Sequence, residues 1–209
     1  MPQFSNRAKI FLENKERFYS TLNRDEIIES FKANNAPFFE PLIEFQQKYS
    51  GYKFMAGSVP IHFGLLQGDG GYPLRTGTAI IEFEPFDTDS SKYQFVCATS
   101  EYPMAFTLDE LGRYYEDYKI VASSFDKTIE HFSIWDELNR NKNFKILFQD
   151  QKINIKQIDR KLDLTIIPEA SDDYTVWFTN GLTYLTQCNG LTTIITSDEF
   201  DKVKSILNS

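Results

Sequence analysis

The chain has 209 residues, of which 41% are apolar, 25% charged and 15% aromatic, and its 22 basic and 30 acidic side chains leave a net charge of −8. That is too apolar for a disordered chain and long enough for one full core, so a single domain over residues 1–209 is expected. Two cysteines make no disulfide framework, and no N-terminal apolar run or long uncharged window reads as a signal or a membrane span, so a reduced, cytoplasmic chain is expected.

The charge is unevenly spread. Residues 1–53 hold eight basic and seven acidic side chains, residues 54–138 five and fourteen, and residues 139–209 nine and nine. The surplus therefore lies in the middle of the chain. A field of that sign repels nucleic acid and attracts basic partners. A solvated acidic surface kept for solubility gives the same composition.

The N-terminal part reads as helical. Ser5 or Asn6 caps a first helix with Ile10, Phe11, Phe18 and Leu22 as apolar positions. Asn23 caps a second, with Ile27, Ile28 and Phe31 on one face, ending at Asn34-Asn35. Pro37 and Pro41 mark the entry to a third, with Leu42, Ile43, Phe45 and Tyr49 inward and Ser50-Gly51 as its stop. Strands dominate from Tyr52 to Tyr118. Glycines and prolines break residues 55–74 into loops and short strands. In Ala79 to Phe86 the alternation puts Glu82 and Glu84 on one face and Ile81 and Phe83 on the other.

The stretch Cys97–Leu138 organises the rest. Strand-like runs Tyr93–Thr99 and Met104–Leu108 lead to the turn Asp109-Glu110-Leu111-Gly112, where glycine supplies a positive φ. The chain returns through Arg113–Glu116 and Ile120–Ala122. Ser123, with Asp126 three residues on, opens a helix to Leu138 with a Phe125, Ile129, Phe132, Trp135 and Leu138 stripe. Phe144–Phe148 fits strand and helix equally. Tyr174–Phe178, Leu182–Leu185 and Leu191–Ile195 are strands joined by hairpins at Asn180-Gly181 and Asn189-Gly190. Ser197 caps a last helix with Phe200, Val203, Ile206 and Leu207 inward. The fold class is α+β: N-terminal helices on a mostly antiparallel sheet, a helix after the Asp-x-x-Gly hairpin, further hairpins and a C-terminal helix.

Catalytic signatures are missing from this pattern. His62 sits in an apparent strand and His131 on the core-stripe helix, neither with a second ligand at zinc spacing. Gly68-Asp69-Gly70-Gly71 lacks the Lys-Ser/Thr ending of a phosphate loop and reads as a turn. Cys97 and Cys188 read as small buried thiols. Acid pairs occur at Asp87/Asp89, Asp109/Glu110, Glu116/Asp117 and Asp172/Asp173, and only a fold brings glycosidase carboxylates together. No catalytic residue, cofactor or metal is expected.

Three places resemble the SUKH superfamily (Smi/Knr-like proteins). They are Ile28–Pro37 with Leu42–Gly51, then Phe106-Thr107-Leu108-Asp109-Glu110-Leu111-Gly112-Arg113-Tyr114-Tyr115, then Ile120–Phe125 with its helix to Leu138. The resemblance implies an α+β fold, with residues 139–209 as a family-specific extension. It also implies, as in many bacterial members, an immunity role: binding and neutralising a co-encoded toxin domain, often a nuclease. The motifs are structural and carry over no catalytic residue. The charge pattern fits such a role, with partner-binding acids expected among Glu82, Glu84, Asp87, Asp89, Glu101, Glu116 and Asp117. The expected partner is a protein, a basic toxin domain in particular, with no nucleic acid and no membrane. A general interaction or scaffold protein, and a carbohydrate-acting hydrolase, are the alternatives.

Overall fold

The computed structural model describes the chain except residues 1–3, 19–21, 57–58, 68–79, 89–90, 102, 154, 156–157, 159–160, 198–200, 202 and 206–209, and the side chains of 56, 87 and 88. The expected turn at Gly68–Gly71, Asp89, and Phe200, Ile206 and Leu207 of the helix expected after Ser197 lie outside the described residues. The fold is α+β and mostly antiparallel. Its contacts divide it into two compact units, one of residues 12–120 and one of residues 1–11 with 121–209.

Helix α1 spans Asn6–Glu13, shorter than the apolar spacing predicts. Beyond it the backbone turns to other partners: Lys53 N–H donates to Glu16 O and Phe18 N–H to Gly51 O. Phe18, one of the apolar positions expected on that helix, is 53% exposed.

In the unit of residues 12–120, α2 (Arg24–Ala33) starts at a full capping box. Glu26 N–H donates to Asn23 Oδ1 at 3.0 Å, and Asn23 N–H to Glu26 Oε2 at 2.9 Å. α2 buries Ile27 and Phe31, and α3 (Glu40–Tyr49), with Pro41 in its first turn, buries Leu42, Ile43, Phe45, Gln46 and Tyr49. The strands that follow are β1 (Lys53–Ala56), β2 (Val59–Phe63), β3 (Phe83–Thr88), β4 (Ser91–Val96), β5 (Ala98–Ser100), β6 (Phe106–Asp109), β7 (Tyr114–Glu116) and β8 (Lys119–Ala122). They form a three-stranded sheet, β1-β2-β5, and a five-stranded one, β3-β4-β6-β7-β8, whose last strand carries the boundary between the units.

Register sorts the larger sheet's side chains into two faces, because directly opposed residues point the same way. Phe83, Phe95, Leu108 and Tyr114 make one row, and Phe106 opposes Glu116 beside it. This apolar face meets α2 and the segment before α3, with the Phe95 ring 6.1 Å from Phe31 and 6.2 Å from Phe39. Glu84, Gln94 and Asp109 make a row on the other face.

In the other unit, α4 (Phe125–Arg140) is capped by Ser124, whose Oγ accepts from Lys127 N–H. Ser123, expected as the cap, instead donates its N–H to Asp172 Oδ2 at 2.7 Å. Next come β9 (Lys145–Gln151), β10 (Thr165–Ile166), a 3-10 turn at Pro168–Ala170, β11 (Thr175–Thr179), β12 (Thr183–Cys188) and β13 (Leu191–Thr196). The run that fitted strand and helix equally is thus a strand. The sheet order is β10-β11-β12-β13-β9, antiparallel throughout. On one face Trp177, Tyr184 and Ile195 pack with Ile134 and Leu138 of α4. On the other, Leu185 and Ile194 pack with Ile158, Leu162 and Val203. Each such fully buried aliphatic side chain contributes about 2 kcal/mol.

Candidate functional site

The acidic side chains of residues 12–120 fall into two groups, those spent on structure and those left over. Glu40 pairs with Arg24 at 2.6 Å, Glu29 with Lys32 at 2.8 Å and Glu44 with Lys48 at 3.3 Å. At the Asp-x-x-Gly turn both acids are consumed. Asp109 is fully buried; Oδ1 accepts from Leu111 and Arg113 N–H, and Oδ2 from Arg113 Nε and the Tyr115 hydroxyl. Glu110 accepts from Lys92 N–H, Tyr93 N–H and the Ser91 hydroxyl, tying this hairpin to the one before it. Partial burial pushes the Glu110 pKa up, but these hydrogen bonds to its carboxylate outweigh that and hold it low.

The seven acids expected to bind a partner separate in the same way. Glu82 and Glu84 are exposed and Ile81 is buried, as the alternation predicts. No cation among the described residues pairs with either. Glu101 is exposed too, but it follows β5 of the three-stranded sheet. Glu116 opposes Phe106, so it shares the apolar face and not the face of Glu84. Burial raises its pKa; the Tyr114 phenol acts the other way and Asp117 adds to the rise. Asp117 is exposed but engaged: its N–H donates to Ala105 O at 2.9 Å and its Oδ1 accepts from Ala105 N–H at 3.1 Å. The Asp87 side chain and Asp89 lie outside the described residues. The structure thus keeps Glu82 and Glu84 together, and separates Glu101 and Glu116 from them.

The face that carries Glu84 has further features. Gln94 and Thr107 are buried there, and their amide and hydroxyl find no hydrogen-bond partner among the described residues. The register shifts between Pro85 and Thr88, and Phe86, two residues after Glu84, reaches Tyr115 on the same face. Its ring stands edge-on to Tyr115 at 6.0 Å and stacks on Tyr118 at 6.4 Å. Tyr118 is 53% exposed. It sits with Asp117 in the two-residue turn between β7 and β8, both at positive φ, +46° and +65°. Such turns favour Asn-Gly. The Asp-Tyr here carries no turn signal, which is why sequence reading passes over it.

The remaining candidates from the sequence are structural in their surroundings. His131 is buried, its Nε2 2.9 Å from Ala170 O, and burial takes its pKa down to about 4. His62 is half-buried in β2, 5.4 Å from the Phe18 ring; burial and Lys53 lower its pKa. Cys97 is buried and its thiol pushed well up by burial, while Cys188 is half-buried; neither forms a disulfide. Among the described residues no cluster of three or more His, Cys, Asp or Glu is placed to hold a metal. None of their helices is long and apolar enough to cross a membrane. Comparison with protein-family models, with curated proteins and with solved structures finds no match to this chain.

Proposed function

We propose that the chain is a non-catalytic, protein-binding domain of the immunity type, which neutralises a cognate basic toxin domain through an acidic surface on residues 12–120. The observation behind this reading is where the charge lies. That unit holds ten basic and seventeen acidic residues, a net −7 out of the chain's −8. Several of those acids are locked into caps, ion pairs and turns, while Glu82 and Glu84 stay exposed two residues apart where β3 begins. A nuclease toxin is the fitting class, because a surface that holds phosphate backbones is cationic. Complementary fields speed encounter, which favours an inhibitor that must act before damage is done.

The test has two steps. Proteins captured from native cells by the chain are expressed without it and scored for toxicity. A basic, toxic partner is expected; a harmless one leaves a general interaction protein. Glu82→Lys with Glu84→Lys is then expected to slow association with that partner about tenfold at low salt and to flatten its salt dependence. An on-rate unchanged by the reversal removes the acidic-surface reading.

A further inference from the structure

We propose that Phe86 and Tyr118 form an aromatic step that receives an arginine side chain of the partner, with Glu84 accepting the guanidinium's hydrogen bonds. This rests on the acidic docking surface above and names the chemistry it recognises. The Tyr118 ring lies offset and near-parallel to Phe86, with centroids 6.4 Å apart at an interplanar angle of 22°, while more than half of the residue stays in solvent. Phe86 is braced from below by the buried Tyr115, whose hydroxyl is held by Asp109. The step is therefore backed by the hydrogen-bonded turn network and not by a mobile side chain alone.

Turn chemistry does not call for this tyrosine. At φ +65° a glycine or asparagine serves the turn with less strain. What the ring adds is a rigid apolar platform at the surface, the kind of group that anchors protein interfaces. The occupant follows from charge. The unit is net negative, and Glu84 shares the face with Tyr115 and Asp109 two residues before Phe86. Phosphate is repelled by that field. A cation is drawn to it, and between the two basic side chains arginine alone both stacks flat on an aromatic face and forks to a carboxylate.

The test uses the full chain and two labelled peptides of equal length, one arginine-rich and one lysine-rich, titrated at low salt by fluorescence anisotropy. The arginine peptide is expected to bind about two- to fivefold more tightly, the range of an exposed cation–aromatic contact. Tyr118→Gly is expected to abolish that preference, leave the lysine peptide's affinity unchanged and keep the thermal midpoint at or above its original value. Phe86→Leu, which keeps an apolar side chain, is expected to reduce the preference in part. Equal affinities in the unaltered chain, or a preference that survives Tyr118→Gly, overturn the aromatic step while leaving the acidic surface standing. Binding of a neutral maltooligosaccharide that Tyr118→Gly removes, with no peptide preference, assigns the rings to carbohydrate and also overturns it. If neither peptide binds, or Glu82→Lys with Glu84→Lys leaves both affinities unchanged, step and surface fall together.

Discussion

Gly112 shows how one residue can be demanded twice. Its φ is +80°, and a Cβ built on it would lie 2.7 Å from Pro41 Cβ. The left-handed backbone costs an alanine about 1 kcal/mol and the overlap about 1–3 kcal/mol more. Gly112→Ala is therefore expected to lower unfolding free energy by about 2–4 kcal/mol in denaturant titration, with an unchanged slope. A loss of a few tenths would mean that Pro41 gives way. The turn's need for glycine is legible in Asp-x-x-Gly. The Pro41 contact is not, since it joins residues far apart in the chain. Asp109 is similar. An acid at the start of a turn reads as an exposed turn former, yet here it is fully buried and bonded to Arg113 and Tyr115. Asp109→Asn leaves the Arg113 guanidinium, itself only 9% exposed, beside a neutral partner and is expected to cost about 3 kcal/mol. The double variant with Arg113→Met is expected to lose less than Asp109→Asn alone; equal or greater loss would mean that the pair is not the reason.

At the level of elements, legibility follows whether the deciding contacts are local. Asn189-Gly190 turns with both φ positive, +51° and +76°, and joins β12 to β13 as its composition predicts. The Asp117-Tyr118 turn adopts the same signs without the composition. α2 begins at Asn23, the cap the sequence predicts, whereas α4 begins one residue late because Asp172 takes the Ser123 N–H from outside the helix. α1 stops early for the same kind of reason, the pairing of residues 16–18 with 51–53. α4 also sets a pH dependence. Burial holds His131 at a pKa of about 4, with the Ala170 carbonyl and Asp172 pulling upward and Lys127 downward. Below pH 6.5 the unfolded chain takes up a proton that the folded one refuses. Stability should therefore fall as pH drops from about 6.5 to about 4, by about 3 kcal/mol from this group. His131→Gln, which keeps a donor for Ala170 O, is expected to flatten thermal midpoint against pH over that window. An unchanged profile would assign the slope to carboxylates such as Asp172, whose hydrogen bonds from Ser123, Tyr174 and Thr175 N–H lower its pKa against the upward push of burial.

Over the whole molecule, the charge imbalance that composition shows sharpens once contacts define the units. The surplus of acids belongs almost wholly to residues 12–120, and residues 121–209 share two cores of their own with a sheet between them. The number of acids in a stretch overstates the surface available to a partner, because ion pairs, caps and turns take several of them. The sequence alone determined the kinds of element, their approximate order and the sign of the charge, since periodicity, capping residues and turn glycines act over a few residues. Alternation already paired Glu82 with Glu84, but only the tertiary structure decided that Glu116 takes the apolar face and which carboxylates are left over. Those outcomes depend on strand register and on hydrogen-bond donors supplied from distant parts of the chain, and neither leaves a trace in local spacing.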